Sequence, residues 1–146
     1  MTAPQPLSPV LFVGAGPGAA RHLTLGAYQA LQAAEVVIHD RLVGPEIMAL
    51  IPATARLVDV GKEGFGPSTK QVEINAVLVA HALTGARVVR LKGGDPGIFG
   101  RLDEEIEALE ANGLPYDILP GLTSATVAAA SIGQSLTKRG RNAALR

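Results

Sequence analysis

Arg87-Val88-Val89-Arg90-Leu91-Lys92-Gly93-Gly94-Asp95-Pro96-Gly97-Ile98-Phe99-Gly100 passes from an apolar run into a loop that holds four glycines and a proline between Leu91 and Gly100. A short apolar run closed by glycine reads as a buried strand. Beyond the loop the period changes. Leu102, Ile106 and Leu109 form a helical stripe on an otherwise acidic segment. Asp103, Glu104 and Glu105 stand in its first turn, where the helix dipole favours negative charge. Asn112-Gly113 supplies the C-cap.

The same unit recurs on either side. Val10 to Val13 runs into Gly14-Ala15-Gly16-Pro17-Gly18, and Thr24 then caps a helix whose Leu25, Tyr28 and Leu31 recur at helical spacing. Val36-Val37-Ile38 closes on His39-Asp40-Arg41-Leu42, and Pro45 opens a short helix through Ile47, Met48 and Leu50. Leu57 to Val60 is a third strand, leading into Gly61-Lys62-Glu63-Gly64-Phe65-Gly66. Ser68-Thr69-Lys70-Gln71 has the capping-box pattern and opens a helix with Ile74, Val77, Leu78 and Ala82 on one face. Tyr116 to Leu119 is the last strand, and Pro120-Gly121 turns into a helix of small residues, Ala125 to Ile132. Five strand-helix units predict an α/β fold, an open, mostly parallel five-stranded sheet with helices on both faces. Every candidate functional loop then follows the C-terminal end of a strand, where such sheets bind ligands.

Composition narrows the classes. The 146 residues fit one domain, and 47% hydrophobic content excludes a disordered or fibrous chain. Thirteen basic and thirteen acidic side chains argue against a nucleic-acid partner. With no cysteine there is no disulfide framework or zinc-thiolate site, and His22, His39 and His81 share no spacing that predicts a metal. No apolar run reaches the roughly 18 residues of a membrane span. Residues 1–9, rich in proline and uncharged, read as a flexible N-terminal segment rather than a signal peptide, and the expected location is cytoplasmic. The chain stops at Arg146, soon after the basic stretch Lys138-Arg139-Gly140-Arg141.

Taken one at a time, the loops leave alternatives open. Gly14 to Ala19 matches a dinucleotide fingerprint, with Asp40 suited to a ribose, or it is a tight turn without a ligand. Asp40 beside Arg41 is an oriented base or a surface ion pair. Lys62 reaches an anion, donates a proton, or is solvated; no P-loop pattern surrounds it. Asp95 can accept from a ribose or an amine, with Ile98 and Phe99 as an apolar wall. Thr123 and Ser124 cap the following helix or face the same crevice. Lys138 and Arg139 bind carboxylates or phosphates, or belong to a solvated tail.

In order, the loops resemble the tetrapyrrole methylase family, and within it the members that methylate uroporphyrinogen III. The likeness rests on V-G-A-G-P-G at Val13 to Gly18, D-R-L at Asp40 to Leu42, V-G-K at Val60 to Lys62, R-L-K-G-G-D-P at Arg90 to Pro96, I-F-G-R at Ile98 to Arg101, L-P-G-L-T-S at Leu119 to Ser124 and L-T-K-R-G at Leu136 to Gly140. Departures are His39 for the family's tyrosine, Glu63 for a basic residue, Gly97 for a bulky one, and Leu102-Asp103 for paired glycines. The resemblance implies methyl transfer from S-adenosyl-L-methionine to two ring carbons of uroporphyrinogen III, giving precorrin-2 for sirohaem and cobalamin. It implies Asp40 as base and Lys62 as proton donor. It implies Pro17, Gly93, Gly94, Asp95, Ile98, Thr123 and Ser124 as cofactor contacts, and Arg41, Lys138 and Arg139 as partners of the substrate carboxylates. It further implies a cofactor cleft between two domains and a homodimer, with residues 10–146 as the N-terminal domain and the second domain absent. The expectation is that these residues alone bind cofactor weakly and turn over poorly. Alternatives are another cobalamin-pathway methylase, a dinucleotide-dependent oxidoreductase and a non-catalytic truncated domain.

Overall fold

The computed structural model of the chain describes residues 7–61, 67–98 and 100–140. Its strands are β1 (Val10–Gly14), β2 (Val36–His39), β3 (Arg56–Asp59), β4 (Val88–Lys92) and β5 (Tyr116–Leu119). They alternate with α1 (Leu25–Ala33), α2 (Pro45–Met48), α3 (Pro67–Leu83), α4 (Leu102–Ala111) and α5 (Ser124–Ser131). The sheet is parallel throughout, in the order β3-β2-β4-β1-β5. The expected fold class is the observed one, with element ends displaced by a residue: β3 begins at Arg56 and β4 continues to Lys92.

Connectivity sets the faces. Right-handed crossovers put α1 and α2, which lead outward from β1 to β3, on one face, and α3 and α4, which lead back, on the other. Two core clusters follow from this. Phe12, Ile38 and Val88 pack with Leu78 of α3 and Leu109 of α4. Val13, Val37, Val89 and Leu91 pack with Ala27 and Leu31 of α1 and Ile47 of α2. Strands covered on both faces need apolar residues at successive positions, which is why β2 and β4 show no alternation.

Two local expectations need correction. Leu25 is 82% exposed and Tyr28 is also exposed; α1 is buried through Ala27, Ala30 and Leu31, because small side chains let the helix lie close on the sheet. Thr24 does cap α1, accepting from the Ala27 amide at 3.1 Å. The helix start read at Ser68 is displaced by one residue or more: α3 begins at Pro67, and the Gln71 side-chain amide donates to Asn75 Oδ1 at 2.8 Å. The C-cap of α4 is as expected, with Gly113 at φ +66° and the Leu114 amide donating to the Leu109 carbonyl at 3.0 Å.

Candidate active site

The loops after β1, β4 and β5 meet through backbone. The Ala15 amide donates to the Lys92 carbonyl at 2.7 Å. Gly16 and Gly94 then exchange both backbone hydrogen bonds, at 3.1 and 2.8 Å, in an antiparallel bridge. A Cβ on Gly14 would stand 2.6 Å from the Gly121 Cα and 2.7 Å from the Gly94 carbonyl oxygen, so glycine is required by the approach of three backbones. Asp95 completes the joint: Oδ1 accepts from the Gly121 amide at 3.0 Å and Oδ2 from the Gly97 amide at 2.9 Å. Both its carboxylate oxygens thus serve the loops themselves, a role that the ribose reading did not include. Asp95→Ala leaves both amides without this acceptor. It is expected to lower stability by about 2 kcal/mol, read from the urea midpoint.

These loops wall a cleft of about 280 Å³. Gly16 and Pro17 line it from the β1 loop, and Gly93, Gly94, Asp95 and Ile98 from the β4 loop. Thr123 and Ser124 line it from the start of α5, and Leu42 reaches in from the β2 loop. The structure therefore brings all seven expected cofactor residues to one place and adds Gly16 and Leu42. Leu42 was legible only as part of D-R-L, and its side chain is 81% exposed beside Gly93. Thr123 sits at the N-cap of α5, yet its side chain makes no capping hydrogen bond. The capping explanation of Thr123 fails, and the residue lines the cleft.

Asp40 is half-buried at the end of β2, and its Oδ1 accepts from the Leu42 amide at 2.9 Å, which turns the chain towards the cleft. His39, at the position of the family's tyrosine, is buried with Nδ1 3.2 Å from the Asp40 carbonyl oxygen. Arg41 is exposed, and Gly61 packs on it: a Cβ there would stand 2.9 Å from the Arg41 amide nitrogen. The D-R-L and V-G loops are thereby adjacent. Lys62, Glu63 and Phe99 lie outside the described residues. Lys138 and Arg139 are exposed and are not among the residues that line the cleft.

A buried ionic cluster under the β4 loop escaped the sequence reading. Arg90 and Lys92 are two residues apart on β4 and so share a face of the sheet. Glu105 of α4, with no exposed surface, meets both: Arg90 Nε donates to Oε1 at 2.5 Å and Lys92 Nζ donates to Oε2. Burial and the Arg90 charge pull the Lys92 ammonium below the usual lysine range, opposed by Glu105 and by Asp40. From the sequence Glu105 reads only as a first-turn acid. Its place on the stripe of Leu102, Ile106 and Leu109 was the available signal.

Two features exclude the dinucleotide reading. A dinucleotide fold orders its strands 3-2-1-4-5 and runs its first glycine loop straight into a helix. Here β4 lies between β2 and β1, and α1 starts only at Leu25, after a short 3₁₀ turn at Ala20–His22. The site instead defines a parallel α/β domain with a glycine-walled cleft where β1 and β4, whose helices leave to opposite faces, lie side by side. The chain belongs to the Tetrapyrrole (Corrin/Porphyrin) Methylases, which it matches over residues 9–146.

Among its relatives, the uroporphyrinogen-III C-methyltransferase of Paracoccus denitrificans is 53% identical over 135 residues, 92% of this chain and 47% of that protein. The siroheme synthase of Tolumonas auensis is 49% identical over 130 residues, 89% of this chain and 28% of that protein. The uroporphyrin III C-methyl transferase of Thermus thermophilus, solved in complex with S-adenyl homocysteine, superposes with a TM-score of 0.76 at 46% identity, covering 91% of this chain and 55% of that one. The chain thus spans between about a quarter and just over half of the length of these relatives.

Proposed function

We propose that this chain carries the cofactor-binding part of an S-adenosyl-L-methionine-dependent methyl transfer to uroporphyrinogen III, with precorrin-2 as product. The observation that carries the proposal is the convergence of Pro17, Gly93, Gly94, Asp95, Ile98, Thr123 and Ser124, from three separate loops, on one cleft. The lining suits the cofactor. Bare glycine backbone admits close approach, Pro17, Leu42 and Ile98 offer apolar surface to an adenosyl group, and the Thr123 and Ser124 hydroxyls offer polar contacts. Bound there, the cofactor supplies a sulfonium-activated methyl group.

The protein's part is to hold the acceptor carbon and manage a proton. Each transfer would form one carbon–carbon bond at a pyrrole carbon and break the sulfonium S–CH3 bond, with S-adenosylhomocysteine as leaving group, and a proton must leave elsewhere on the macrocycle. In this proposal its acceptor is Asp40, whose Oδ1 takes the amide of Leu42, a residue that lines the cleft. Lys62 is the donor of the same proposal. Arg41, Lys138 and Arg139 are its counter-charges for substrate carboxylates, of which Arg41 sits next to Asp40. A homodimer and a cytoplasmic location are parts of the same reading, carried over from the family resemblance. Among the described residues no helix is long and apolar enough to cross a membrane.

Asp40→Asn is the direct test of the base. In a methyl-transfer assay of a complete enzyme that carries this domain, with uroporphyrinogen III, turnover is expected to fall about 100-fold, within the range a positioned base contributes, while affinity for S-adenosylhomocysteine stays within twofold. Unchanged turnover removes Asp40 from the chemistry. A chain that methylates a later cobalamin intermediate and not uroporphyrinogen III would transfer the proposal to another member of the family.

A further inference from the structure

We infer that the buried Arg90–Glu105–Lys92 cluster is a positioning device that sets the cofactor loop and the Asp40 strand end in fixed register. The inference rests on the proposed function for its purpose, and on geometry for its existence. Lys92 closes β4, and its ammonium donates to the Gly100 carbonyl at the far end of the loop it opens. One side chain therefore spans its own loop, from the end of β4 almost to the start of α4. Glu105 holds that ammonium from α4. The other carboxylate oxygen of Glu105 takes Arg90, whose Nη1 donates to the carbonyls of Leu91 at 3.3 Å and Ile38 at 3.5 Å.

Ile38 lies two residues before Asp40. The path from Asp40 to the loop thus runs through β2 backbone, the Arg90 guanidinium, the Glu105 carboxylate and the Lys92 ammonium to the Gly100 carbonyl. Asp40 also favours the charged form of Lys92, so the two ends are coupled electrostatically as well. None of the three cluster residues lines the cleft. They act through the residues that do.

Two further features fit a loop held from beneath. Gly100 lies on Lys92: a Cβ there would stand 3.4 Å from the Lys92 Cδ and 3.0 Å from the Pro96 carbonyl oxygen. Arg101, the next residue, is the one non-glycine residue with positive φ among those described, at +52°, so the chain turns sharply where the lysine holds it. An ammonium is suited to this task because it can serve a carboxylate and a carbonyl at once.

Lys92→Met tests the inference, because it leaves Arg90 and Glu105 as a balanced pair while removing the donor to Gly100. Amide hydrogen exchange of the 146-residue chain is measured across residues 93–98 and, as reference, across β1 and β2. The expected result is exchange at least tenfold faster in the loop, with β1 and β2 at wild-type rates and the unfolding midpoint within a few degrees of wild type. Lys92→Arg, which keeps a donor, is expected to restore part of the protection. Arg87→Met, which removes an exposed partner of Glu35 at the opposite end of the sheet, is expected to leave the loop unchanged. Titration with S-adenosylhomocysteine should show at least tenfold weaker binding for Lys92→Met. Wild-type loop protection in Lys92→Met overturns the inference, and so does exchange that rises equally in loop and sheet. If wild type itself ignores S-adenosylhomocysteine, the proposed function fails, and the exchange data still decide whether the cluster holds the loop.

Discussion

Gly121→Ala is expected to collapse the joint between the β1, β4 and β5 loops. The added methyl would stand 2.8 Å from the Gly14 Cα and closer still to the Gly94 carbonyl oxygen. Both obstacles are backbone, so no rotamer change relieves them. Separating them breaks the Asp95–Gly121 hydrogen bond and strains the Gly16–Gly94 bridge. Overpacking of this kind costs about 3 kcal/mol. For a chain of this length that lowers the unfolding midpoint by roughly 10 °C. Calorimetric unfolding measures it, and a change under 2 °C would show that the three loops part without cost. Gly133→Ala is the wrong control, since Gly133 has φ +71°; Gly26, with open space and ordinary φ, is the right one, and Gly26→Ala should be neutral or stabilising.

Glu105→Ala is expected to be at least as damaging, for an electrostatic reason. It leaves the Arg90 and Lys92 cations buried beside each other without their shared anion. Breaking a buried pair by removing one partner costs about 3–5 kcal/mol. The cost belongs to the unpaired charges rather than to the attraction lost. Replacing all three residues with methionine should therefore recover most of the stability, although the loop would lose its tether. Urea unfolding of the single and triple variants separates these terms. If the triple variant is less stable than Glu105→Ala, the cluster is net stabilising and the electrostatic account is wrong.

The fold was largely legible because its signals are local. A buried parallel strand needs a continuous apolar run, and a strand-to-helix turn needs glycine, so Val10 to Gly14 or Val36 to His39 could be read without tertiary knowledge. The α1 stripe misled for a tertiary reason. Leu25 and Tyr28 have the right spacing, but the sheet takes the alanine face of the helix. The cleft residues were legible through the family resemblance, since their loops lie far apart in sequence. The buried cluster was hidden because single charges read as surface. Its signal was relational: Arg90 and Lys92 share one face of a buried strand, and Glu105 shares the apolar stripe of the helix that covers it. Leu42 was hidden because an exposed leucine after a turn has no local signature of ligand contact.

In the proposed function the cleft between Gly16 and Ser124 holds S-adenosyl-L-methionine. Its most direct test is a titration of the isotope-labelled chain with S-adenosylhomocysteine and, separately, with NAD, followed by amide chemical shifts. The predicted result is a saturable response to S-adenosylhomocysteine concentrated at Gly16, Gly93, Gly94, Ile98, Thr123 and Ser124, with no saturable response to NAD. Binding of NAD at the Gly14 to Ala19 loop, with no response to S-adenosylhomocysteine, would contradict it.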